Sequence, residues 1–483
     1  MNTQMLRYLP TFLALLLTSA TDTPAAKPLF KAGAATANIT PHLSVLLDGT
    51  IMKIGPAKNI HDELHARCLA FDDGETRLAI AIVDNTMMER AIHDEAKRLL
   101  KEAIGLPREN ILIAATHTHS TPRAVSIGQG AANEEYHRFL ARRIADGIRC
   151  AFNNAQPAEI GWEKGFAPQH VHNRRWFVDS KLVPPNPFGR KGDKVWMNPP
   201  RGDALIRPAG PVDTAVYVVS LRTVESKPFA LLANYGLHYV GGIPGGTVSA
   251  DYYGMFAKKV FEYVKGVDFT YPRFVGLMSN GTSGDVNAVD FSKPRERHPP
   301  YVHAREVADD LAHEAKKVYN ELEKRHQRDI TLDVAYREVE FAVRKPDTAR
   351  LKWARQTMAT VKPGKRLTRP QVYAQEALGL AEYPDKVSVP LQAFRIGDLA
   401  ICAIPNEVFA ETGLAIKKAS PFKDTFTIEL ANGYYGYLPT PEQHEWGGYE
   451  TWPARSSLLE VNAEKVIRKT VLELLKELKG ERK

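Results

Sequence analysis

Apolar residues along the chain follow two periodic patterns. Short apolar runs bounded by turn residues are typical of buried strands, and apolar residues three and four positions apart are typical of helices. Predicted strands lie within residues 30–50, 67–88 (a hairpin), 109–120, 158–168, 213–223, 227–240, 273–285, 333–343, 391–407 and 425–440. Predicted helices lie within residues 89–105, 132–155, 252–266, 305–325, 407–420 and 463–483.

The order of these elements predicts an α/β fold with a mixed sheet. A strand before Asp84, a helix over 89–105 and a strand at 109–120 form a βαβ unit, which brings parallel strands together. Residues 345–384 are polar and helical in pattern, as in a helical hairpin on the outside of a domain. The segment Val178–Pro208 is rich in Pro, Gly and charge, which predicts a long loop or insertion.

Several predicted strands end in clusters of polar residues. The clusters are "AATHTHS", "NYGLHYV", "SNGTSGDVN", "IPNE" and "NGYYGYLPT". In α/β folds, ligands bind beyond the carboxyl ends of strands. We therefore expect these five ends to converge on one site.

The N-terminal residues predict export. Arg7 precedes an apolar run from Tyr8 to Leu17 and then small residues, which is the pattern of a signal peptide over 1–26. The run is too short to span a bilayer, so a membrane anchor is the less favoured alternative. We expect a secreted or periplasmic protein with one large domain over 27–483.

Composition narrows the class of partner. Of 483 residues, 44% are hydrophobic and 25% charged, and the net charge is +8, so a globular chain is expected. The basic residues are scattered, which is typical of a solvated surface and leaves a peripheral membrane surface open as a partner. No basic-aromatic pattern of a nucleic-acid module is present. The cysteines are too few and too far apart for a disulfide framework, although one bridge stays open: Cys68, Cys150 and Cys402.

The stretch "ATHTHSTP" places two histidines one residue apart. In an extended segment His117 and His119 would share a face, and neutral imidazole is a common zinc ligand. Both could ligate one ion, or one could ligate while the other orients water or transfers protons. A pair of hydrogen-bonded histidines in a turn is the structural alternative.

Other strand ends carry further candidates with structural alternatives of their own. His238 ends an apolar strand, where a structural histidine is common. Glu407 leaves an apolar strand and needs a cation or a role at the start of the next helix. Asp285 and Asn287 follow a Gly-rich turn that could bind an anion or be capped by these side chains. The chain lacks both a P-loop and a GxSxG serine motif.

In their order, these segments resemble the neutral/alkaline non-lysosomal ceramidase family. The resemblance runs from about Ala32 to Glu450, over the family's N-terminal catalytic domain. "AGAATANITP" is similar to the family's Ala-Gly-x-x-x-Ala-x-Ile-Thr, and "IHDELHARCLAF" to its Ile-His-x-Arg-x-x-x-Arg-Ala-Phe. "IVDNTMM" is similar to its Ser-Asp-x-x-x-Met, and "ATHTHSTP" to its Thr-His-Thr-His-Ser-Gly-Pro. "HNRRWF" falls where the family has Asn-Arg-Ser-Pro.

The resemblance implies one zinc ion per chain and hydrolysis of an amide bond in a lipid or small molecule. Four positions match the family's zinc ligands: His117, His238 in "ANYGLHYV", Glu407 in "PNEVF" and Tyr437 in "NGYYGYLPT". Three further positions take the implied catalytic roles: His119 as a base or water-orienting residue, and Arg174 and Tyr449 (in "GGYETW") as donors to the developing oxyanion.

The chain also departs from the family pattern. Where the family has Gly-Asp-Val-Ser-Pro-Asn, with a serine assigned to the active site, this chain has Asn287 in the serine's place. Asparagine cannot act as a serine nucleophile, whereas a zinc-hydroxide mechanism does not need one. We also expect no C-terminal immunoglobulin-like domain, because one amphipathic helix follows the tyrosine segment.

Zinc-dependent amide hydrolysis is therefore the leading hypothesis, with N-acyl substrates including ceramide. A non-ceramide amidase or esterase is the first alternative, favoured by Asn287. A cyclic-amidohydrolase barrel, which also places His-x-His on a strand, is the second. A non-catalytic lipid- or carbohydrate-binding protein with the same fold is the third; Asn287 favours it as well, whereas retention of all four implied zinc ligands argues against it.

Overall fold

A computed structural model describes residues 29–49, 51–52, 54–127, 133–264 and 274–481. The predicted signal peptide over 1–26 lies outside these residues. The strands are β1 (Lys31–Asn38), β2 (Asn59–Ile60), β3 (His65–Asp72), β4 (Arg77–Val83), β5 (Ile111–Ala115), β6 (Gln156–Phe166), β7 (His172–Asn173), β8 (Arg175–Val178), β9 (Val195–Met197), β10 (Leu205–Pro208), β11 (Ala215–Thr223), β12 (Pro228–Tyr235), β13 (Thr247–Val248), β14 (Val275–Asn280), β15 (Val286–Asn287), β16 (Leu332–Ala342), β17 (Lys386–Ile396), β18 (Leu399–Ala403), β19 (Glu407–Val408), β20 (Asp424–Ile428) and β21 (Tyr437–Leu438). The helices are α1 (Arg90–Ile104), α2 (Glu134–Asn153), α3 (Asp251–Tyr263), α4 (Val302–Glu321), α5 (Thr348–Met358), α6 (Arg369–Ala381), α7 (Ala410–Ala419), α8 (Pro441–Trp446) and α9 (Ala463–Lys479).

The larger sheet is mixed, as the sequence predicts. Its eight strands run in the order β14-β12-β11-β6-β1-β3-β4-β5. β4 and β5 are parallel and joined through α1, and β12 and β14 are parallel and joined through α3. The predicted βαβ unit is therefore confirmed, and a second one lies at the other edge. The described strands form no closed barrel, which excludes the barrel alternative.

A second, four-stranded sheet packs face to face on the first. Its order is β16-β17-β18-β20, and β18 and β20 are parallel across α7. Apolar side chains from both sheets meet in one buried cluster, with Ile80 and Leu112 from the first sheet and Phe394 and Ile401 from the second. Strand periodicity explains this layer, because alternate residues of each strand enter it.

Helices cover the outer face of each sheet. On β3, Leu69 and Phe71 enter the layer between the sheets, while Cys68 and Ala70 point the other way into a cluster with α1 and α2. α3 and α4 cover the other half of the first sheet, and α9 covers the second. The chain is thus a four-layer α/β/β/α arrangement whose strand ends are free to form a site.

Two peripheral predictions have different outcomes. The polar segment 345–384 does form a helical hairpin, α5 and α6, which pack against each other. The segment Val178–Pro208 is not a plain loop, because β9 and β10 pair with the two sides of β8 in a small three-stranded sheet. Sequence periodicity misses these strands since each has only three or four residues.

The cysteines form no disulfide bridge. Cys68 and Cys402 are buried and Cys150 is exposed, and all three are free thiols. Among the described residues, no helix combines the length and apolar character that crossing a membrane requires.

A buried lysine supports the loop between β20 and β21. Lys97 of α1 is 4% exposed and donates to Asn432 Oδ1 at 2.8 Å. The Asn432 backbone N–H donates to the carbonyl of Ile113 in β5 at 2.7 Å. Burial lowers the pKa of Lys97 to about 7. This side chain therefore links α1 to the loop that leads into β21 and Tyr437.

The lowered pKa of Lys97 predicts stability that rises with pH. Between about pH 7 and pH 10 an unfolded lysine keeps a proton that the folded one has lost, so the free energy of unfolding rises by up to about 1.4 kcal/mol per pH unit. Urea unfolding of the wild type and of Lys97→Met at pH 7, 8 and 9 measures the difference in slope. Lys101→Met, on an exposed position of the same helix, should keep the wild-type slope. Equal slopes in the wild type and Lys97→Met would contradict the prediction.

Candidate metal centre

The predicted polar strand ends meet at one end of the two sheets. His117 follows β5 and His238 follows β12 of the first sheet, while Glu407 follows β18 of the second. The His117 Nε2 atom lies 2.9 Å from His238 Nε2 and 3.2 Å from Glu407 Oε2. All three side chains are at most 2% exposed. The structure thus brings together three of the four positions matched to zinc ligands.

The backbone at His117 differs from the expected extended strand. β5 ends at Ala115, and His117 has a φ of 76°, in the left-handed region that non-glycine residues rarely adopt. Its N–H donates to the Asn85 carbonyl at 2.9 Å, which helps to hold this conformation. The argument that alternate residues share a strand face is therefore wrong here, although His119 Nε2 still lies 3.4 Å from His117 Nε2. Such local strain is typical of functional sites.

Both buried imidazoles have a fixed hydrogen-bonding direction. His117 Nδ1 lies 2.7 Å from the Thr86 carbonyl oxygen, and His238 Nδ1 lies 3.1 Å from that of Ser283. A carbonyl oxygen only accepts, so each Nδ1 carries the proton, and in the neutral rings both Nε2 atoms present lone pairs. Carbonyl contacts of this kind are common behind metal-bound histidines.

The three facing atoms fit a cation between them, since the neighbouring Arg174 Nη1 reaches only His238 Nε2 (3.3 Å). His117 Nε2, His238 Nε2 and Glu407 Oε2 are all acceptors in the neutral-imidazole state, and Glu407 Oε2 is buried without a hydrogen-bond partner. One proton on His117 could bridge to only one of the other two atoms, whereas a metal ion can bind all three. Leaving such groups unpaired is costly, so this donor set fits a zinc ion.

Charge around Glu407 favours its ionised form. Burial raises the pKa of Glu407, but the nearby His117 and Arg174 outweigh this effect, and the net pKa lies below the usual range. Glu407 does not cap the following helix, because α7 begins at Ala410 with Phe409 in the capping position. The structural alternative for Glu407 is therefore wrong.

Two tyrosines lie beside Glu407. β19 and β21 pair in parallel and place Tyr437 directly opposite Glu407. Tyr434, which the sequence did not single out, donates from its hydroxyl to Glu407 Oε1 at 2.9 Å. Burial raises the pKa of Tyr437 well above its usual range, and the Arg174 guanidinium lies 5.4 Å from the centre of its ring. A ligand role for Tyr437 stays a prediction.

His119 is placed for either of its two expected roles. One ring nitrogen from each of His117, His119 and His238 lies within 4.8 Å of the other two, so His119 could complete a set of three imidazoles around one ion. Its ring stacks on Tyr239 with centroids 3.7 Å apart, and its buried Nδ1 has no hydrogen-bond partner. Burial lowers the pKa of His119 well below its usual range, and His117 and Arg174 lower it further. A neutral His119 can accept a proton.

Arg174 is held at the edge of the cluster by three contacts. Its Nε donates to Glu450 Oε1 at 3.0 Å and its Nη2 to the Gly284 carbonyl at 2.8 Å. Its Nη1 lies 3.3 Å from His238 Nε2. Glu450, fully buried and also paired with Arg175 at 2.5 Å, was not among the predicted site residues. These contacts fix a permanent positive charge beside the candidate metal ligands.

Tyr449 lies farther from the candidate metal ligands His117, His238 and Glu407 than Tyr437 does. Its ring centroid is 5.7 Å from that of Tyr437 and 6.1 Å from that of Trp452. It follows Gly448, which has a φ of 96° and whose added Cβ would lie 3.0 Å from Arg175 Nη1. Only glycine allows this close approach, so the turn brings Tyr449 towards the cluster.

Asp285, in the turn after β14, has a structural role. Its Oδ1 accepts from the Ala410 N–H at the start of α7 (2.9 Å), and its Oδ2 accepts from the Asn173 amide (2.6 Å). Burial raises the pKa of Asp285 to about 6, with these two donors acting in the opposite direction. Asp285 therefore connects the start of α7 to the strand that precedes Arg174.

Asn287 contacts the insertion rather than the imidazoles. Its Oδ1 accepts from the Val289 N–H at 2.8 Å, and its Nδ2 donates to Asn198 Oδ1 at 2.9 Å. Asn198 belongs to Val178–Pro208. The residue that departs from the family pattern is thus hydrogen-bonded to this Pro-rich segment.

Two buried carboxyl groups near the site were missed. Glu429 accepts from Asn280, from Ser283 and from the N–H of Val408, so it joins the ends of β14 and β20 to β19. Burial raises its pKa well above the usual range. Asp48 is fully buried and lies 3.5 Å from Arg123. The acid inside the apolar run "TIELA" was the available signal for Glu429; the sequence held no comparable signal for Asp48.

A four-layer α/β domain with a histidine–carboxylate cluster at its strand ends is the class that this geometry defines. No family model matches the chain. The neutral ceramidase of Mycobacterium tuberculosis (strain ATCC 25618 / H37Rv) is 22% identical over 453 residues, covering 81% of this chain and 68% of that protein.

Solved structures of ceramidases are also similar to this chain. A ceramidase complexed with C2 aligns with a TM-score of 0.71 at 18% identity, covering 94% of this chain and 76% of that one. The neutral ceramidase of Pseudomonas aeruginosa aligns with a TM-score of 0.69 at 18% identity, covering 94% and 75%. The predicted resemblance is confirmed: the chain has the fold of the neutral ceramidase catalytic domain.

Proposed function

We propose that this protein is a zinc-dependent hydrolase of linear N-acyl amides, with chemistry like that of neutral ceramidases. The observation that carries the proposal is the buried meeting of His117 Nε2, His238 Nε2 and Glu407 Oε2, in which Glu407 Oε2 has no hydrogen-bond partner. The names of the similar proteins support amide hydrolysis. The zinc ion itself, and export to a secreted or periplasmic location, are parts of the proposal.

Each nearby side chain has a role in this chemistry. A zinc ion with an open position lowers the pKa of bound water to about 7 and polarises a carbonyl group. His119 accepts a proton on its free ring nitrogen and returns it to the leaving amine. Arg174 and Tyr449 donate hydrogen bonds to the carbonyl oxygen as negative charge develops there. Glu450 keeps the Arg174 guanidinium in place.

The substrate is proposed to be a lipid amide, and ceramide is one member of that class. Asn287, in the place of the family's serine, donates to Asn198 of the segment Val178–Pro208. This contact favours an N-acyl substrate other than ceramide as the second candidate.

Metal analysis combined with a substrate panel tests the proposal. The purified protein should carry close to one zinc per chain. It should hydrolyse at least one of a panel of N-acyl amides that includes ceramide and matched esters, and a chelator should stop turnover until zinc is restored. A protein that binds no metal would refute the proposal, and lipid binding without any hydrolysis would favour the binding-only alternative.

A further inference from the structure

The insertion Val178–Pro208 exposes two large aliphatic side chains. Ile206 is 66% exposed and Leu182 is 52% exposed, the highest values for aliphatic residues among the large hydrophobic side chains in the described part of the chain. Single exposed apolar residues are common and need no explanation. Two such residues in one short segment, next to a candidate lipid site, are a different observation.

Backbone pairing brings these two side chains to the same part of the insertion. The register between β10 and β8 shifts between Leu205 and Arg207, so Ile206 is the extra residue of a bulge. The Asp179 N–H donates to the Ala204 carbonyl at 3.1 Å, and Asp179 begins the turn that ends at Leu182. Bulges re-aim side chains, and here the re-aimed side chain faces solvent.

The charge of the insertion complements an anionic surface. Its basic residues are Lys181, Arg190, Lys191, Lys194, Arg201 and Arg207. Its acidic residues are Asp179, Asp193 and Asp203. The Asp193 carboxylate accepts hydrogen bonds within the fold from the Trp452 indole N–H (2.7 Å) and the Gly448 N–H (3.2 Å). None of the six basic side chains forms a salt bridge with a described carboxylate. Arg201 and Arg207 lie over the rings of Phe291 and Phe177, and the other four, all exposed, have charges available to an external partner.

The other side of the same insertion lines a narrow pocket beside Tyr449. The lining includes Val183, Pro184, Trp196, Met197, Tyr449 and Trp452. Leu182 faces solvent, and the next residue in the chain, Val183, faces this pocket beside Tyr449. One segment therefore joins an exposed apolar and basic surface to the expected substrate entrance.

We propose that the insertion docks this protein on the surface of an anionic phospholipid bilayer. Leu182 and Ile206 enter the boundary between headgroups and acyl chains, while the basic side chains contact lipid phosphates. Docking places the pocket beside Tyr449 at the membrane, where a lipid amide can enter it. This last step rests on the proposed function, whereas docking itself does not.

Vesicle co-sedimentation tests the docking surface without any need for turnover. Vesicles of phosphatidylcholine with phosphatidylglycerol are compared with phosphatidylcholine alone, at low and high salt. The wild type should bind the anionic vesicles more tightly and lose much of this binding at high salt. The double variant Leu182→Asp/Ile206→Asp should bind the anionic vesicles at least about tenfold more weakly than the wild type, because it loses apolar burial and gains negative charge.

A matched control separates this surface from a general effect of charge. Val461→Asp/Val466→Asp makes the same change at two side chains that are each 41% exposed, at or before α9, and should bind like the wild type. Thermal melting checks that both double variants are folded. Equal binding by the wild type and Leu182→Asp/Ile206→Asp, or no preference for anionic vesicles, would overturn the proposal. Vesicle binding without hydrolysis would instead count against the proposed function alone.

Discussion

His117→Ala is expected to release zinc and to lower kcat/KM by roughly a thousandfold or more. Its imidazole faces both other ligand candidates, with Nε2 2.9 Å from His238 Nε2 and 3.2 Å from Glu407 Oε2. Its removal leaves only two of the three candidate ligand atoms, His238 Nε2 and Glu407 Oε2, which lie 3.8 Å apart. A metal ion supplies several kcal/mol of transition-state stabilisation, and each 1.36 kcal/mol is a factor of ten in rate.

Metal content and kinetics should be measured on the same preparations. Glu407→Gln is a gentler second variant, because glutamine keeps the shape of glutamate and loses only the charge; it should also lose zinc affinity. His313→Ala removes an exposed imidazole of α4 and should retain wild-type zinc and activity. Full zinc occupancy in His117→Ala would show that the ligand assignment is wrong.

Arg174→Lys is expected to lower kcat by about a hundred- to a thousandfold while zinc remains bound. Loss of one oxyanion donor has an effect of this size. Lysine cannot reproduce the three directions in which the guanidinium contacts Glu450, Gly284 and the edge of His238. The effect should appear in kcat more than in KM, because the donor acts mainly on the developing charge.

The matched control is Arg222→Lys. Arg222 pairs with Glu159 on the outside of the larger sheet, so kcat should change little there. Zinc content and the melting temperature separate a local effect of Arg174→Lys from unfolding, since Glu450 still pairs with Arg175. A variant with normal kcat would remove Arg174 from the proposed chemistry.

Local patterns explain most of the fold prediction. Period-two and helical spacing identified the strands of both large sheets and the long helices, because each buries one face over many residues. The rule that sites form beyond strand ends predicts that His117, His238 and Glu407 lie together. The motif order identified the fold to which these strands belong.

Long-range contacts explain what the sequence could not show. The left-handed backbone at His117 depends on a hydrogen bond to Asn85, far from it in sequence. The strands of the insertion are too short to show a period. The roles of Glu450 and Asp285 depend on partners more than a hundred residues away. Such pairs leave no local signal, so only three-dimensional placement identifies them.

The face-to-face stacking of the two sheets has a mechanical consequence for the candidate centre. His117 and His238 follow strands of the first sheet, whereas Glu407 and Tyr437 form the small β19–β21 pair that follows β18 and β20 of the second, so a bound ion would act as a clasp between the two layers. The distance across that clasp depends on side chains such as Leu112 and Phe394, which separate the layers and touch no substrate. Protein interiors are close-packed, so a change of side-chain volume between the sheets would shift the candidate ligands of one layer together, relative to those of the other. The apolar interior between the sheets would thus set the distance between the two pairs of candidate ligands.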